Sequence, residues 1–475
     1  MNPYQNQPQG KKMMTLVGIY LAIIGNLMVS TTTATMLPAA AAEIGGMEIY
    51  GVAQSISGVL SIVLMPIFGF LAAHNPAKKP LYTAGALLIG ALVILARALA
   101  PNMFVIIFAN VFWGFVAAGV FVVGFTTIRD MFDQKQVGLY LGLVGTMMSI
   151  ARLAGPFLGG IIIDRLGWRV LCWLLFAVLI VAAALNFFGA RVSEDEFEQV
   201  AAAGGSGFDW AGGISITVLL GCLIVALSMG GSYVPFGSTL NTALFVVSAI
   251  ALVALVLVIR KKGDAAIVPA SALKDGNVLV LALTNLLHNF GAMTVTFFIP
   301  SFIMRVLAED PLTLSLGPAL AAGIGTSLSA VLGLFLGPII GRKIAQTGDA
   351  KPLMHIGNVV RILVTLGFVF LLVPGTPLWV IYVLMFFVGV YDSQTATTMS
   401  VAPQIQLKPE LRVTGNSVIQ LGQNLGAGIG VALFTLIVGA NPAGGMHTSM
   451  IIALVAYAVM AVIAFFLKKN EAPSA

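Results

Sequence analysis

Four ionisable side chains fall inside long apolar stretches of this 475-residue sequence, where a charge is costly. They are Asp392, within "VGVYDSQT", together with His288, Arg361 and Arg152. Asp392 is the one acid placed deep in such a stretch, because the others lie in loops or near segment ends. A charge at the centre of a bilayer costs about 3 kcal/mol on insertion scales. Each of these groups is therefore expected to face a partner or a wet cavity.

Asp392 and Arg361 are predicted to lie at matching depth. Each lies about nine residues, or roughly 13 Å, from the same end of two consecutive antiparallel helices. The pair is interpreted as a structural ion pair, as a carboxylate that carries a coupling proton or binds a cation, or as a gating latch. An unperturbed imidazole titrates near neutral pH, so His288 is a second candidate proton carrier, or else a hydrogen-bonded helix residue. Arg152 is expected to bind an anion or to gate, or to hydrogen-bond backbone and hydroxyl groups.

The composition identifies the elements that must hold these residues. Hydrophobic residues make up 59% of the chain and charged residues 9%, with a mean hydropathy of +1.01. A soluble chain carries about 25% charged residues, so a soluble fold is excluded. The apolar runs are continuous and long enough for helices, whereas barrel strands alternate over about 10 residues. The predicted fold class is therefore an all-α integral membrane protein.

Apolar runs bounded by charges, Gly or Pro predict about fourteen transmembrane helices. They lie near 13–37, 49–73, 80–99, 102–128, 137–163, 167–189, 211–231, 239–260, 278–306, 316–344, 352–373, 377–401, 413–439 and 446–467. With the N-terminus in the cytoplasm, 18 basic residues fall in inside segments and four in outside segments. The positive-inside rule thus predicts a multi-pass protein of the cell (plasma) membrane with both termini cytoplasmic.

An internal repeat divides the chain. "PIFGFLAAHNPAKKPL", from Pro66 to Leu81, matches "PIIGRKIAQTGDAKPL", from Pro338 to Leu353, at the same topological place. A parallel repeat predicts two pseudo-symmetric halves. The expected domains are an N-terminal six-helix bundle (1–190), a linker plus two extra transmembrane helices (191–277) and a C-terminal six-helix bundle (278–475).

The fifth predicted span carries a glycine pattern at Gly142, Ala151, Gly155, Pro156, Gly159 and Gly160. It resembles the antiporter motif of the major facilitator superfamily, in its fourteen-span drug:proton antiporter branch, with Ala151 as the one departure. The resemblance implies a span that closes one side of the membrane route. Three charged features of the family are absent. Ala73 and His74 occupy the Asp and Arg places of the loop after the second span, Asn110 precedes Trp113-Gly114 where the fourth span of the family has a buried Arg, and Val29 occupies the place of the first-span Asp.

Polar residues recur at helical spacing on several spans and so share helix faces. The resemblance implies that spans one, four, nine and twelve line a central cavity, with thirteen at its border. Each residue is therefore a candidate for the substrate cavity, or alternatively for a hydrogen bond between packed helices. These candidates are Asn26, Ser30, Thr33, Asn110, Trp113, Asn285, Asn289, Tyr391, Gln420, Gln423 and Asn424.

The expected function is secondary active transport by alternating access, with proton-coupled export of amphipathic organic compounds or drugs. The alternatives are a facilitator or symporter for a specific, possibly anionic, metabolite, and a membrane sensor or scaffold. An enzyme is not expected, because neither a GxxxxGK[ST] loop nor a metal-ligand cluster is present. The expected partners are the lipid bilayer, a small-molecule substrate and protons, with no cofactor, no metal and no nucleic acid, and the expected state is a monomer.

Overall fold

The computed structural model describes residues 3–192, 209–230, 234–408, 411–440 and 442–469. Within them, fourteen helices are long and apolar enough to cross a membrane. A helix satisfies every backbone polar group within its own segment, which an apolar bilayer core requires. The predicted all-α membrane fold is therefore confirmed, while most of the predicted acidic and Gly-rich linker lies outside the described residues.

The spans are labelled here in chain order. They are α1 (Gln9–Ile44), α2 (Tyr50–Ser57 and Val59–His74), α3 (Lys79–Ala98), α4 (Met103–Met131), α5 (Gln134–Leu166), α6 (Trp168–Phe188), α7 (Trp210–Ser228), α8 (Thr239–Lys262), α9 (Gly276–Arg305), α10 (Pro318–Thr347), α11 (Lys351–Leu371), α12 (Leu378–Gln406), α13 (Arg412–Ala440) and α14 (Pro442–Ala464). Fourteen crossings return the chain to the side on which α1 begins. That side is called the terminal side, and the opposite one the far side.

The two halves repeat one packing pattern. In the N-terminal half α1 packs on α5 and α6, and α3 packs on α6; in the C-terminal half α9 packs on α13 and α14, and α11 on α14. The halves meet along two equivalent seams, where α5 packs on α10 and α2 on α13. The predicted pseudo-symmetric bundles are therefore present, and the two seams enclose the space between them.

Several spans deviate from regular α-helix. α4 and α9 each contain a π-helical stretch, at Ala118–Gly124 and Thr294–Phe298, and α2 is interrupted at Gly58. Prolines inside helices add further bending points, among them Pro38, Pro156, Pro338 and Pro403. Prolines and π-bulges are the usual causes of helix kinks, and π-bulges are frequent at functional sites.

The two inserted helices are fastened to each other at the terminal side. One Asp209 carboxylate oxygen accepts hydrogen bonds from the Gly212 backbone N–H (3.0 Å) and Lys262 Nζ (2.9 Å). The other accepts from the Ile267 backbone N–H at 2.9 Å. Burial raises the pKa of Asp209, but these three donors outweigh burial and hold the pKa below its ordinary value. The start of α7 is thereby fixed to the end of α8.

The cavity between the halves and the seams that enclose it

A cavity of about 450 Å³ lies between the two halves at the middle of the spans. The N-terminal half contributes Ser30, Gln54, Ser149 and Arg152 to its wall, and α9, α10, α12 and α13 supply the rest. This volume lies within the range of about 300–1,000 Å³ that is typical of small-molecule sites. The cavity is therefore the candidate substrate site.

Asp392 reaches this cavity from α12, and its nearest ionisable neighbour among the described side chains is His288 of α9. The Asp392 Oδ1 to His288 Nε2 distance is 3.7 Å, and the two side chains are 29% and 10% exposed. Neither that oxygen nor His288 Nδ1 has a hydrogen-bond partner. A separation of 3.7 Å exceeds a hydrogen bond but allows an ion pair once the imidazole is protonated. The pair can therefore hold a proton or release the carboxylate to a cation.

Arg361 does not pair with Asp392, which corrects the ion-pair interpretation. No contact within 4.0 Å joins the guanidinium of Arg361 to the carboxylate of Asp392, both of which are described. Instead the fully buried guanidinium donates to Asn358 Oδ1 (2.8 Å), to the Tyr391 carbonyl (3.3 Å) and to Thr395 Oγ1. Consecutive helix residues point about 100° apart. Tyr391 and Asp392 therefore face different neighbours, and Arg361 meets Tyr391.

Two aromatic rings complete the Arg361 pocket. The guanidinium carbon lies 4.9 Å from the Tyr391 ring centroid and 5.2 Å from that of Tyr457 on α14. A desolvated cation over an aromatic face is stabilised by the ring quadrupole. Tyr391 is itself fully buried and is not among the cavity-lining residues.

Arg152 is the cation that faces the cavity. It lies on α5, is exposed, and lines the wall to which Asp392 also contributes. Among the described residues it makes neither an ion pair within 4.0 Å nor a hydrogen bond, and its charge acts on Asp392 across the cavity. Hydrogen bonds from Arg152 to backbone or hydroxyl groups do not occur within the described part of the chain.

The predicted polar stripes divide into two groups. Ser30 and Gln423 line the cavity, and both also line a smaller neighbouring cavity together with Asn289 and Asn424. The others lie outside the lining of both: Asn26, Thr33, Asn110, Trp113, Asn285, Tyr391 and Gln420. Several of these make the alternative interhelical bonds; Asn285 Nδ2, for example, donates to the Ile419 carbonyl at 3.0 Å.

Two other residues of this second group, Asn110 and Trp113, contact the buried side chain of Arg97. Arg97 lies in the last turn of α3 and is 3% exposed. Its Nε donates to Asn110 Oδ1 at 2.7 Å, and its guanidinium carbon lies 5.6 Å from the Trp113 ring centroid. Asn110 Nδ2 then donates to the Ala53 carbonyl of α2 at 2.7 Å. Asn110 and Trp113 therefore hold a buried arginine.

The glycine motif of α5 lies against two other helices. A Cβ at Gly155 would lie 2.6 Å from Thr31 Oγ1, and one at Gly159 would lie 2.5 Å from Thr32 Cγ2, both on α1. At Gly160 it would lie 2.6 Å from the Ala319 carbonyl oxygen of α10. Small residues allow such close approach of helix backbones. Ala151 is buried, whereas Gly142 lies in a stretch of α5 whose side-chain surroundings are outside the described part.

Hydrogen bonds across the α5–α10 seam close its far end. Asp164, near the end of α5, accepts from the backbone N–H groups of Ala319 (3.1 Å) and Leu320 (2.6 Å) in the first turn of α10. Nearer the middle, Ser327 Oγ donates to the Leu153 carbonyl at 2.7 Å. A carboxylate suits a helix N-terminus because free N–H groups and the helix dipole favour negative charge there.

Aromatic packing closes the far side between the seams. The rings of Tyr50 on α2 and Phe297 on α9 stack with centroids 5.7 Å apart, and Phe298 packs edge-on against Phe434 of α13. All four side chains are at most 2% exposed. Because Phe297 also lines the cavity, this cluster covers the cavity toward the far side.

One wall of the cavity was missed by the sequence reasoning. α10 lines it with Thr326, Ser329, Ala330, Gly333 and Gly337. Their spacing of three or four residues is a single helix face. A search for small and hydroxyl residues at that spacing, in addition to amides, would have found it.

Comparisons with known proteins agree with this architecture. Residues 19–431 match the Major Facilitator Superfamily. Multidrug resistance protein 3 of Bacillus subtilis (strain 168) is 23% identical over 429 residues, covering 90% of this chain and 79% of that protein. Efflux pump dotC of Dothistroma septosporum is 25% identical over 420 residues, covering 88% and 69%.

Solved structures agree in fold. An auto inhibited POT family peptide transporter aligns with a TM-score of 0.68 at 15% identity, over 98% of this chain and 99% of that one. The nucleoside transporter NupG aligns with a TM-score of 0.65 at 13% identity, over 96% and 98%. Because the family match extends over most of the chain, this protein belongs to the Major Facilitator Superfamily and is a multi-pass membrane transporter.

Proposed function

We propose that this protein exports amphipathic organic compounds, chiefly cations, in exchange for protons. The observation that carries the proposal is the Asp392–His288 pair at the wall of the inter-half cavity, with 3.7 Å between the carboxylate and the imidazole. Relatives that are named efflux pumps support the direction of transport.

The pair provides competition between a proton and a cationic substrate. With His288 neutral, the Asp392 carboxylate is the anionic group that attracts a cation into the cavity. A proton on His288 pairs the imidazolium with that carboxylate, and a proton on Asp392 removes its charge. Either event releases the substrate, because a ligand shifts an equilibrium only through its differential affinity for the two states.

The test is Asp392→Asn in proteoliposomes. The probe is ethidium, driven by an imposed pH gradient. We expect gradient-driven ethidium transport to fall to the level of empty liposomes, because the amide cannot exchange a proton. Ethidium exchange without a gradient should weaken as well, since the same substitution removes the anionic group that attracts the cation.

The matched control is Glu309→Gln, which removes an exposed acid in the loop between α9 and α10. It should leave gradient-driven transport unchanged. Full gradient-driven transport in Asp392→Asn would overturn the proton-coupling role of Asp392, provided that the variant unfolds at the same temperature as the parent.

A second candidate function is transport of a specific anionic metabolite by facilitation or symport. It is favoured by the exposed guanidinium of Arg152 in the same cavity. A panel of organic anions and cations in a thermal-shift assay separates the two: stabilisation by anions that is lost in Arg152→Gln would favour the second candidate.

The orientation that fits export has both termini in the cytoplasm. We propose that the protein lies in the plasma membrane and acts as a monomer. The orientation is supported by the excess of basic residues at the terminal side, where Lys261 and Lys262 end α8 and Lys468 and Lys469 follow α14.

A further inference from the structure

The smaller cavity is a side extension of the central one. Its volume is about 260 Å³, and four residues line both spaces: Ser30, Gln54, Met293 and Gln423. The two cavities are therefore adjacent across a shared wall, and a ligand in one is next to the other.

The outer wall of this side cavity comes from an inserted helix. Leu220 and Ile224 of α7 line it, at 3% and 2% exposure. α7 packs on both α2 and α13, and so bridges the seam between the two halves. The approach is close, because a Cβ at Gly428 of α13 would lie 3.1 Å from Ile224 Cδ1.

The lining of the side cavity is amphipathic. Gln54, Gln423 and Asn424 contribute amide groups that make no hydrogen bond with described protein atoms. Facing them are apolar side chains from α7, together with Val59 of α2. Gln54 and Asn424 are half-buried and Gln423 is exposed, so their amide groups are open to the cavity. These amides are consequently available to water or to a ligand.

The break in α2 lies at the same place. Ser57, Gly58 and Val59 line the cavity where the two helical segments of α2 meet. A Cβ at Gly58 would meet no atom within 4 Å. The interruption leaves space beside the α2–α13 seam, and α7 separates that space from the lipid.

The other seam, between α5 and α10, carries exposed apolar side chains on its outer surface. On α5 and α10, Phe157 and Phe335 are 40% and 66% exposed. The inserted helices therefore make the two pseudo-symmetric seams unequal, and the α7-walled space belongs to one of them.

We propose that Leu220 and Ile224 form the wall of a substrate subsite that holds the apolar portion of an amphipathic cation, while its charged portion lies near Asp392. This rests on the proposed function for the charged portion. The inserted helices then determine which lengths and shapes of apolar group the transporter accepts.

Substitutions on two faces of α7 test the subsite. Leu220→Trp fills the space, Leu220→Ala enlarges it, and Ile214→Trp changes a side chain that is 59% exposed on the same helix. The probes are alkyltriphenylphosphonium cations with methyl or dodecyl chains, and the readout is their binding to purified protein by calorimetry.

Leu220→Trp should weaken dodecyl binding at least tenfold and change methyl binding less than twofold, with Ile214→Trp like the parent. Leu220→Ala should shift the preferred alkyl chain to greater length, which keeps the test valid if Leu220→Trp does not fold. Equal changes for both probes, or unchanged chain-length preference in both variants, would overturn the subsite.

The binding assay separates this inference from the proposed function. A length-selective change in a protein that shows no gradient-driven transport would leave the subsite intact and refute proton-coupled export. Proton-coupled transport with no length-selective change in binding would refute the subsite and leave proton-coupled export intact.

Discussion

At the scale of single residues, two arginines inside the membrane spans are buried in equivalent environments in the two halves. Arg97 and Arg361 lie on the third helix of their respective halves, and each is almost fully buried without an acidic partner in the described chain. Each donates to an asparagine and lies over an aromatic ring of the fourth helix. Both cations therefore fix helix packing, and neither faces the cavity.

A charge swap tests this reading of Arg361. If Arg361 and Asp392 were an ion pair, exchanging them in Arg361→Asp with Asp392→Arg would restore much of the lost stability. We expect no rescue, because Asn358, Thr395 and the Tyr391 carbonyl would face a carboxylate. The measurement is thermal unfolding in detergent of both single variants and the double variant. An interaction free energy beyond about 1 kcal/mol in the double-mutant cycle would contradict it.

At the scale of elements, the seam between α5 and α10 depends on backbone contact. Gly160 of α5 meets α10 at Ala319, and Gly323 of α10 meets α5 at the Pro156 carbonyl oxygen, 2.2 Å from where a Cβ would be. The two contacts are reciprocal: in each, a glycine of one helix lies against the backbone of the other helix. The α5–α10 seam is therefore expected to be rigid, because helix backbone cannot move aside as a flexible side chain can.

Gly160→Ala should therefore destabilise the protein by about 1–3 kcal/mol through overpacking. The control is Gly85→Ala in α3, where a Cβ would meet nothing within 4 Å. That change should stabilise by about 0.5–1 kcal/mol, as alanine normally does in a helix. Thermal unfolding and ethidium transport measure both variants. Similar effects at the two positions would contradict a close backbone crossing.

At the scale of the whole molecule, the described contacts between halves favour a far-side-closed state. Asp164 and the Tyr50–Phe297 stack lie at that side of the two seams. In alternating access these contacts must break for the far side to open. Their strength therefore sets the balance between the two states.

Asp164→Ala should shift that balance toward far-side opening. Loss of a helix cap costs about 0.5–2 kcal/mol, which is a two- to thirtyfold change in population. Spin labels at Leu166→Cys and Leu314→Cys, in a Cys222→Ser background, would report longer distances. Ser238→Ala is the control, since that cap of α8 lies within one inserted helix. An unchanged distance distribution in Asp164→Ala would contradict a latch.

Much of the fold was predictable because hydropathy is a local property. The number of spans, the repeat between Pro66 and Pro338, and the place of the inserted pair follow from run lengths and spacing. The candidate site was only partly predictable. Asp392, Arg152, Ser30 and Gln423 are at the cavity, whereas the α10 face was missed.

The sequence by itself determined the membrane class, the two halves and the depth of Asp392 and Arg361, since depth follows from a rise of about 1.5 Å per residue. Only the tertiary structure decided which groups meet at that depth. Rotation of each helix about its axis is set by packing against its neighbours, and the sequence spacing does not fix it. That rotation brings His288, rather than Arg361, to Asp392, and it turns Arg361 toward Tyr391 and Tyr457.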